Sequence, residues 1–301
     1  MIEKRLPHYL RKKLVLGRGV HGTKGLLRSY GLHTVCESAR CPNISECFGR
    51  GRATFLIMGD VCTRGCRFCA IDKGIPQGPD PHEPQRVAGA VRELGVRHAV
   101  VTSVTRDDLP DGGAGHFCDV AAAVKRYNPG VTLELLTPDF QGDEGAIARL
   151  LDADFDIFNH NVETVPSLYG TVRPQALYSR SIGVLRFVKG RKDILIKSGL
   201  MVGLGETAEE VKRVLVDLKE AGCDIVTIGQ YLAPTQGHLP VREYVREDAY
   251  REYECFGRAI SIRYVYAGPF VRSSYHAQEI QGMVTGDHGR GPRQIDFRSQ
   301  P

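Results

Sequence analysis

After residue 50 the chain alternates short apolar runs rich in β-branched residues with segments of helical period. The apolar runs, which we predict to be strands, span residues 53–58, 98–104, 131–136, 155–159, 195–202 and 225–228. Strands that alternate with helices are typical of βα units around a parallel sheet. Six such units predict an α/β fold, a partial (β/α)6 TIM-like barrel, whose active-site loops follow the carboxyl ends of the strands.

The helix between the last two strands has the clearest boundaries. Thr207 and Glu210 have capping-box spacing, and Gly222 supplies the stop. Apolar residues recur on one face between them, namely Val211, Val214, Leu215 and Leu218. A second helix should begin near Glu83 and end before Gly95. We predict further helices after Gly113, after Gly142 and over residues 178–188.

The pattern divides the chain into three parts: an N-terminal extension (1–50), the barrel (51–268) and a C-terminal extension (269–301). The tail from Gln281 is rich in Gly, Arg and Gln, so we expect it to be loosely ordered. An open doubly wound sheet is the alternative architecture, supported by Gly203, Gly205 and Ala208 after a strand. A dinucleotide fingerprint belongs in the first βα turn, however, and this one comes late.

Composition narrows the class of protein. The 301 residues contain no run of eighteen apolar positions and no apolar stretch behind the basic start, so we expect a cytoplasmic protein without a membrane span. The formal charge of +5 is too mild and too dispersed for a nucleic-acid-binding stripe, although it would suit an acidic protein partner.

The nine cysteines are unlike a disulfide framework, because a reducing compartment keeps thiols free. Six of them fall between Cys36 and Cys69, which points to ligands. Cys118, Cys223 and Cys255 are scattered singly, and we expect each to be a buried small hydrophobic residue.

Directly after the first predicted strand, Cys62, Cys66 and Cys69 form a C-x3-C-x2-C triplet. Three thiolates can hold three corners of a [4Fe–4S] cluster and leave one iron open for chemistry. A zinc site is the alternative, but structural zinc takes four ligands and the nearest histidine in sequence is His82.

A second triplet precedes the barrel, where Cys36, Cys41 and Cys47 form a C-x4-C-x5-C pattern. This is not a zinc-finger spacing, and it predicts a second cluster that also lacks one cysteine ligand. A cluster used only to relay electrons is more often closed by four cysteines. The missing cysteine therefore indicates a weaker ligand and a reactive site.

The first triplet, with the aromatic Phe68 before its last cysteine, resembles the signature of the radical S-adenosylmethionine (SAM) superfamily. The resemblance implies that the open iron of a cluster on Cys62, Cys66 and Cys69 chelates SAM and cleaves it to a 5′-deoxyadenosyl radical. Residues 199–206 are similar to the superfamily's GxIxGxxE element. The superfamily resemblance implies Phe68, Thr102, Ser103, Gly203 and Glu206 as cofactor-binding residues. The end of the fourth predicted strand puts four hydrogen-bonding side chains at the mouth of the barrel, at positions 159, 160, 161 and 163. We therefore also assign Asn161 and Glu163 to the cofactor, with a structural polar network as the alternative. In relatives a GGE-like stretch binds the amino group of SAM. This chain has Thr102 and Ser103 there instead, so it departs from the superfamily pattern at this contact.

Both triplets, together with residues 102–113, 137–140, 158–161, 197–207, 229–232 and 268–275, resemble lipoyl synthases over roughly four-fifths of the chain. The resemblance implies two [4Fe–4S] clusters, the second ligated by Cys36, Cys41, Cys47 and Ser274, with Ser273 as the alternative serine. It also implies that two SAM molecules activate C6 and C8 of an octanoyl-lysine, and that the second cluster is sacrificed as the donor of both sulfur atoms. Ser274 would thereby take part in catalysis.

The same resemblance implies three partners. They are an octanoylated lipoyl carrier domain (an E2 subunit or the glycine-cleavage H protein), an electron donor such as ferredoxin or flavodoxin, and an iron–sulfur carrier that rebuilds the cluster. Two other classes stay open: another dual-cluster radical enzyme, such as a biotin synthase or methylthiotransferase, and a non-catalytic metal-stabilised or RNA-binding module. The segment 106–108 either orders its loop or touches the carrier, or it is a solvated charge cluster.

Overall fold

The computed structural model describes residues 6–12 and 17–274, so the predicted loose tail from Gln281 lies outside the described residues. The strands are β1 (His33–Thr34), β2 (Thr54–Ile57), β3 (Val61–Cys62), β4 (Asp72–Lys73), β5 (His98–Ser103), β6 (Thr132–Leu136), β7 (Ile157–Asn159), β8 (Leu195–Val202), β9 (Ile225–Gln230) and β10 (Tyr264–Gly268). The helices are α1 (Arg18–Ser29), α2 (Val35–Ser38), α3 (Ile44–Gly49), α4 (Glu83–Leu94), α5 (Ala114–Tyr127), α6 (Glu144–Leu151), α7 (Tyr169–Val172), α8 (Tyr178–Lys189), α9 (Ala208–Glu220) and α10 (Glu247–Ala259). Short 3-10 turns cover His8–Leu10, Phe140–Gly142 and Pro166–Leu168.

The main sheet has the strand order β1-β2-β5-β6-β7-β8-β9-β10. Strands β2 to β10 in this sheet pair in parallel, and only β1 is antiparallel to its neighbour. A doubly wound sheet needs a point where the strand order reverses. Here the order follows the sequence throughout and the sheet is not closed, so the fold is the predicted partial TIM-like barrel.

All six predicted strands are present, as are the predicted helices α4, α5, α6, α8 and α9. The capping box of Thr207 and Glu210 is formed, and Gly222 has the left-handed backbone that ends the helix region. Strand β10 extends the parallel sheet beyond the six predicted units by pairing with β9. The structure therefore adds a seventh parallel strand to the expected fold.

The N-terminal extension shares the core of the barrel. Leu27 of α1 and Phe48 of α3 are buried in the same apolar cluster as Phe55 of β2 and Val91 of α4. Because their burial removes apolar surface from water, the extension is held against the barrel rather than tethered to it. The cysteines of residues 36–47 are consequently fixed in position beside β2.

Two glycines let the C-terminal extension approach the barrel interior. A Cβ atom on Gly229 would overlap the backbone oxygen of Val271, and one on Gly199 would overlap Thr227 and crowd Ser273. Residues 271–274 thus lie directly against β8 and β9. No helix within the described ranges combines the length and the apolar character needed to cross a membrane.

Candidate active site with two cysteine triplets

The barrel triplet follows the carboxyl end of β2, where Cys62 ends the short strand β3 and Cys66 and Cys69 lie on the loop between β3 and β4. The Sγ of Cys62 accepts hydrogen bonds from the backbone N–H groups of Arg64 at 3.4 Å and Thr105 at 3.3 Å. The guanidinium of Arg173 donates to Cys66. Such donors favour the thiolate form that binds iron, so this loop fits a cluster on its donor chemistry.

Burial has the largest effect on the pKa of Cys66 and of Cys69 in this loop. It raises the pKa of Cys69 to about 12, although the N–H of Ile71 acts in the opposite direction. It also raises the pKa of Cys66, against the effect of Arg173. In the metal-free chain these thiols are therefore neutral at pH 7, and metal binding must release their protons.

An ion-paired clamp holds the loop in place. Arg64, which is almost fully buried, bonds Asp107 at 2.6 and 2.8 Å and Asp139 at 2.7 Å. Arg106 is buried and pairs with Asp108 at 2.7 Å. Of the alternatives for residues 106–108, these contacts favour the ordering of the loop.

Three further contacts fix the loop backbone, and none of them was predictable from the sequence. The N–H of Gly65 donates to Oε1 of Gln175, and the N–H of Arg67 donates to the carbonyl of Val172 at 2.9 Å. Nε2 of His238 lies 3.1 Å from the carbonyl oxygen of Cys69. The partners lie about 105 to 169 positions away along the chain, which no local pattern could reveal.

Asn161 and Glu163 come together after β7, as predicted for one site. Nδ2 of Asn161 donates to Oε1 of Glu163 at 3.1 Å, and Oδ1 of Asn161 accepts from the hydroxyl of Ser273 at 2.6 Å. Burial raises the pKa of Glu163, while the nearby Arg173 opposes that rise. The partly buried carboxyl and amide, together with the buried guanidinium of Arg173, could thus bind a zwitterionic ligand beside Cys66.

The other two polar side chains of this segment have different surroundings. Asn159 donates to Glu134 at 2.7 Å inside the barrel. His160 is buried between the carbonyl of Thr137 and Ser181, and burial lowers its pKa to about 4. The expected cluster of four polar groups at the mouth of the barrel is therefore reduced to Asn161 and Glu163.

Gly203 and Glu206 shape the turn after β8. The carboxylate of Glu206 accepts the backbone N–H groups of Gly203 and Leu204, the latter at 3.0 Å, and Gly203 has a φ of 96°. Burial raises the pKa of Glu206, although those N–H groups oppose it. Phe68 packs with Leu204 in a small apolar cluster. This cluster could contact the ring of a ligand, whereas the carboxylate of Glu206 is already used by its own turn.

Thr102 and Ser103 differ in what they offer a ligand. The hydroxyl of Thr102 donates to the carbonyl of Leu136 at 2.8 Å, which satisfies it within the sheet. The buried Oγ of Ser103 has no hydrogen-bond partner among the described residues. Of these two neighbours, only Ser103 retains an unused donor.

The second triplet borders a separate cavity. Cys36 lies on α2, Cys41 on the following loop and Cys47 on α3. The side chain of Thr34 caps α2 by accepting a hydrogen bond from the backbone N–H of Glu37, which fixes the direction of the first cysteine. The cavity is lined by these three cysteines together with Asn43, Glu46, Arg50, Arg52, Ala53, Thr54, Val96, His98, Val100, Arg272 and Ser274.

The two consecutive serines have different partners. Ser274 lines the second cavity, and its Oγ accepts a hydrogen bond from Thr54 Oγ1 at 2.8 Å. Ser273 instead bonds Asn161, on the side of the barrel triplet.

Burial raises the pKa of Cys36 to about 12 and that of Cys47 to about 11, each with a further rise from Cys41.

Among the described residues, no three His, Cys, Asp or Glu side chains converge as closely as the ligands of one metal ion would. In a [4Fe–4S] cluster each cysteine binds a different iron, so the thiols stand farther apart. Soft thiolates also suit iron–sulfur clusters.

The three isolated cysteines were predicted to be buried, and they differ in their exposure. Cys223 is buried, as expected, and Cys118 is half-buried with its Sγ near the carbonyl of Arg149. Cys255 is exposed, so the prediction was wrong for it. The amphipathic helix α10 faces the core with Tyr250, Tyr253 and Gly257, which leaves Cys255 on its outer side.

Comparison with known proteins identifies two matching family models. That of the radical SAM superfamily matches residues 56–218, and that of the N-terminal domain of lipoyl synthase matches residues 2–41. A lipoyl synthase of Chlorobium chlorochromatii is 50% identical over 282 residues, which cover 93% of this chain and 96% of the relative. One of Caldanaerobacter subterraneus subsp. tengcongensis is 53% identical over 274 residues, or 91% and 96% of the two chains. Among solved structures, the FeFe-hydrogenase maturase HydG from Carboxydothermus hydrogenoformans has a TM-score of 0.57 at 13% identity, covering 88% of this chain and 67% of HydG, which shows a shared fold.

Proposed function

The chain belongs to the lipoyl synthase family of radical SAM enzymes, and from that premise we propose that it inserts two sulfur atoms, at C6 and C8, into a protein-bound octanoyl-lysine. When bound, SAM and the barrel [4Fe–4S] cluster supply the radical chemistry, and a second, sacrificial [4Fe–4S] cluster supplies the sulfur. The two cluster sites are formed by different parts of the chain. Residues 1–50 and 269–301 provide the second cluster site, and residues 51–268 provide the SAM site.

In the SAM site, Cys62, Cys66 and Cys69 hold the cluster, and hydrogen bonds to their sulfur atoms stabilise the thiolate forms. Asn161 and Glu163 bind the amino-acid part of SAM. The unused hydroxyl of Ser103 adds a polar contact.

Several other residues complete the SAM site with less direct roles. Phe68 and the turn of Gly203 and Glu206 form the wall against the adenosyl part. Thr102 keeps β5 in register with β6 through its bond to Leu136 and thereby positions its neighbour Ser103.

The proposal of a second, sacrificial cluster rests on one observation. Ser274 shares a single cavity with Cys36, Cys41 and Cys47, although it lies 227 or more positions after them in sequence. A serine oxygen is a harder donor than the three thiolates, so the iron that it binds should be the one most readily lost. A cluster that must be dismantled to release sulfide benefits from such a ligand.

The octanoyl group arrives on a lipoyl carrier domain, either an E2 subunit or the glycine-cleavage H protein. The formal charge of +5 suits an acidic carrier. A ferredoxin or flavodoxin donates electrons, and an iron–sulfur carrier rebuilds the spent cluster. The cysteine ligands require a reducing compartment, so we place the enzyme in the cytoplasm.

The relatives described above are lipoyl synthases, which favours this function over the biotin synthase and methylthiotransferase alternatives. The test is anaerobic iron and sulfide analysis of the purified chain and two triple variants. The unmodified chain should contain about eight of each atom, and replacement of either triplet by alanine should leave about four. Bound zinc without sulfide would overturn the proposal.

A further inference from the structure

Thr54 occupies a position that connects the two extensions. It is the first residue of β2, it is buried, and it lines the second cavity beside Cys36 and Ser274. Cys36 belongs to the N-terminal extension and Ser274 to the C-terminal extension. A barrel residue therefore lies between two ligands that come from opposite ends of the chain.

The hydroxyl of Thr54 lies in a cavity with two possible acceptors. It donates to Ser274 Oγ at 2.8 Å, and the thiol of Cys36 lines the same cavity. A hydroxyl has a single hydrogen to donate, so it can serve only one acceptor at a time. The acceptor with the greater negative charge receives the stronger bond.

These contacts have a consequence for the serine that goes beyond its role as a ligand. We propose that Thr54 is a positioning residue of the second cluster: its hydroxyl donates to the Ser274 oxygen, holds it on its iron and thereby sets how readily that iron is lost. This inference rests on the proposed function, because it requires a cluster on Cys36, Cys41, Cys47 and Ser274.

The register of β2 supports this assignment. Thr54 pairs with Val100 of β5, and Val100 and His98 line the same cavity. Side chains at paired positions of parallel strands lie on the same face of the sheet. The sheet therefore fixes Thr54 on the cavity side, so its hydroxyl does not depend on a mobile loop for its direction.

The size of the effect follows from the type of hydrogen bond. Hydrogen bonds to charged groups are stronger than those between neutral groups, and the loss of one corresponds to roughly a tenfold change or more in an equilibrium. We therefore expect the iron held by Ser274 to leave about tenfold faster when the Thr54 hydroxyl is removed. The three irons on cysteine should be affected far less.

The test uses the full chain with both clusters reconstituted under anaerobic conditions. Thr54→Val and Thr54→Ala lack the hydroxyl, and Thr54→Ser retains it. Thr132→Val is the matched control, because Thr132 is also a buried threonine at the first position of a parallel strand but does not line the cavity. The readouts are the rate of iron release to a chelator and the Mössbauer signal of the iron that lacks a cysteine ligand.

The expected result is rapid loss of one iron and an altered signal in Thr54→Val and Thr54→Ala, with Thr54→Ser and Thr132→Val close to the unmodified chain. If Thr54→Val fails to load a cluster, the pair Thr54→Ala and Thr54→Ser still isolates the hydroxyl. Equal release rates in that pair would overturn the inference while leaving the proposed function intact. An unmodified chain that holds a single cluster would instead overturn both.

Discussion

Ser273 donates its hydroxyl to Oδ1 of Asn161 at 2.6 Å. Its neighbour Ser274 points to the other site, where it accepts a hydrogen bond from Thr54. Two consecutive residues of the C-terminal extension thus contact the proposed SAM site and the second cavity respectively. Substitutions at the two positions should have separable effects.

Ser274→Ala removes the proposed fourth ligand of the second cluster. We expect SAM cleavage to persist, because the barrel triplet is untouched, and sulfur insertion to fall at least tenfold. Ser273→Ala should instead raise the KM for SAM, since Asn161 loses the donor that orients it. Deoxyadenosine and lipoyl product, both measured by mass spectrometry, report the two steps separately.

The two serine variants serve as controls for each other. If sulfur insertion fails in Ser273→Ala and proceeds normally in Ser274→Ala, the assignment of the ligand to Ser274 is wrong and Ser273 takes its place.

The two cysteine triplets should also be separable. Cys62→Ala should abolish deoxyadenosine formation, because the iron that binds SAM is no longer held in a cluster. Cys36→Ala should retain deoxyadenosine formation and lose the lipoyl product. Cys255→Ala is the matched control, since Cys255 is exposed and outside both triplets. Lipoyl product from the Cys36 variant would remove the sulfur-donor role of the second site.

Arg64→Met should destabilise the loop of the barrel triplet. The substitution leaves the buried Asp139 with Arg180 at 3.3 Å as its remaining ion pair. We expect a loss of about 3 kcal/mol in the free energy of unfolding, typical of a broken buried pair. Urea unfolding of the cluster-free chain measures this loss. Arg258→Met breaks an exposed pair with Glu254 and should cost less than about 0.5 kcal/mol.

A similar cost for both arginine variants would show that the clamp contributes no more than a surface pair. In that case the loop must depend on its backbone contacts, such as that of Gly65 with Gln175.

Glu134 makes part of the stability dependent on pH. Burial would raise its pKa, but Lys197, His98 and Asn159 lower it from 4.5 to about 2. The unfolded chain therefore binds more protons in this range, and the stabilisation is complete above about pH 4.5 and lost as the pH falls toward 2. Urea unfolding of the cluster-free chain at pH 7 and pH 3 should show this loss.

Glu134→Gln should remove that pH dependence and leave Lys197 buried without its partner, at a cost of roughly 3 to 5 kcal/mol at pH 7. The double substitution Glu134→Leu with Lys197→Met should recover most of the cost, because neither charge remains buried. An unchanged slope with pH in Glu134→Gln would contradict the assignment.

The parts that were predictable from the sequence depend on local patterns. Strand runs such as residues 195–202 and the capping box of Thr207 are encoded by neighbouring residues, and the structure has both. The spacing of each cysteine triplet is also local, so both triplets could be proposed as ligand sets from the sequence alone.

The supporting residues could not be predicted, because their partners are distant in sequence. Thr54 meets Ser274 across 220 positions, and Arg64 meets Asp139 across 75. Strand β10 was not predicted for a related reason. It pairs with β9, and the position of β9 at the edge of the predicted sheet becomes known only from the folded structure. The chain contains 34 glycines, which exceeds the roughly 7% of ordinary usage. This excess was a usable signal, because Gly199 and Gly229 make room for the C-terminal extension.

The most direct test of the two-cluster account is a single turnover with labelled sulfur. The chain is reconstituted with ³⁴S-sulfide under anaerobic conditions and then given unlabelled octanoyl-lysine peptide, SAM and reductant. The account predicts a lipoyl peptide in which both sulfur atoms carry the label, in an amount that does not exceed the protein. Lipoyl peptide with unlabelled sulfur, or labelled product from a chain that lacks Cys36, Cys41 and Cys47, would contradict it.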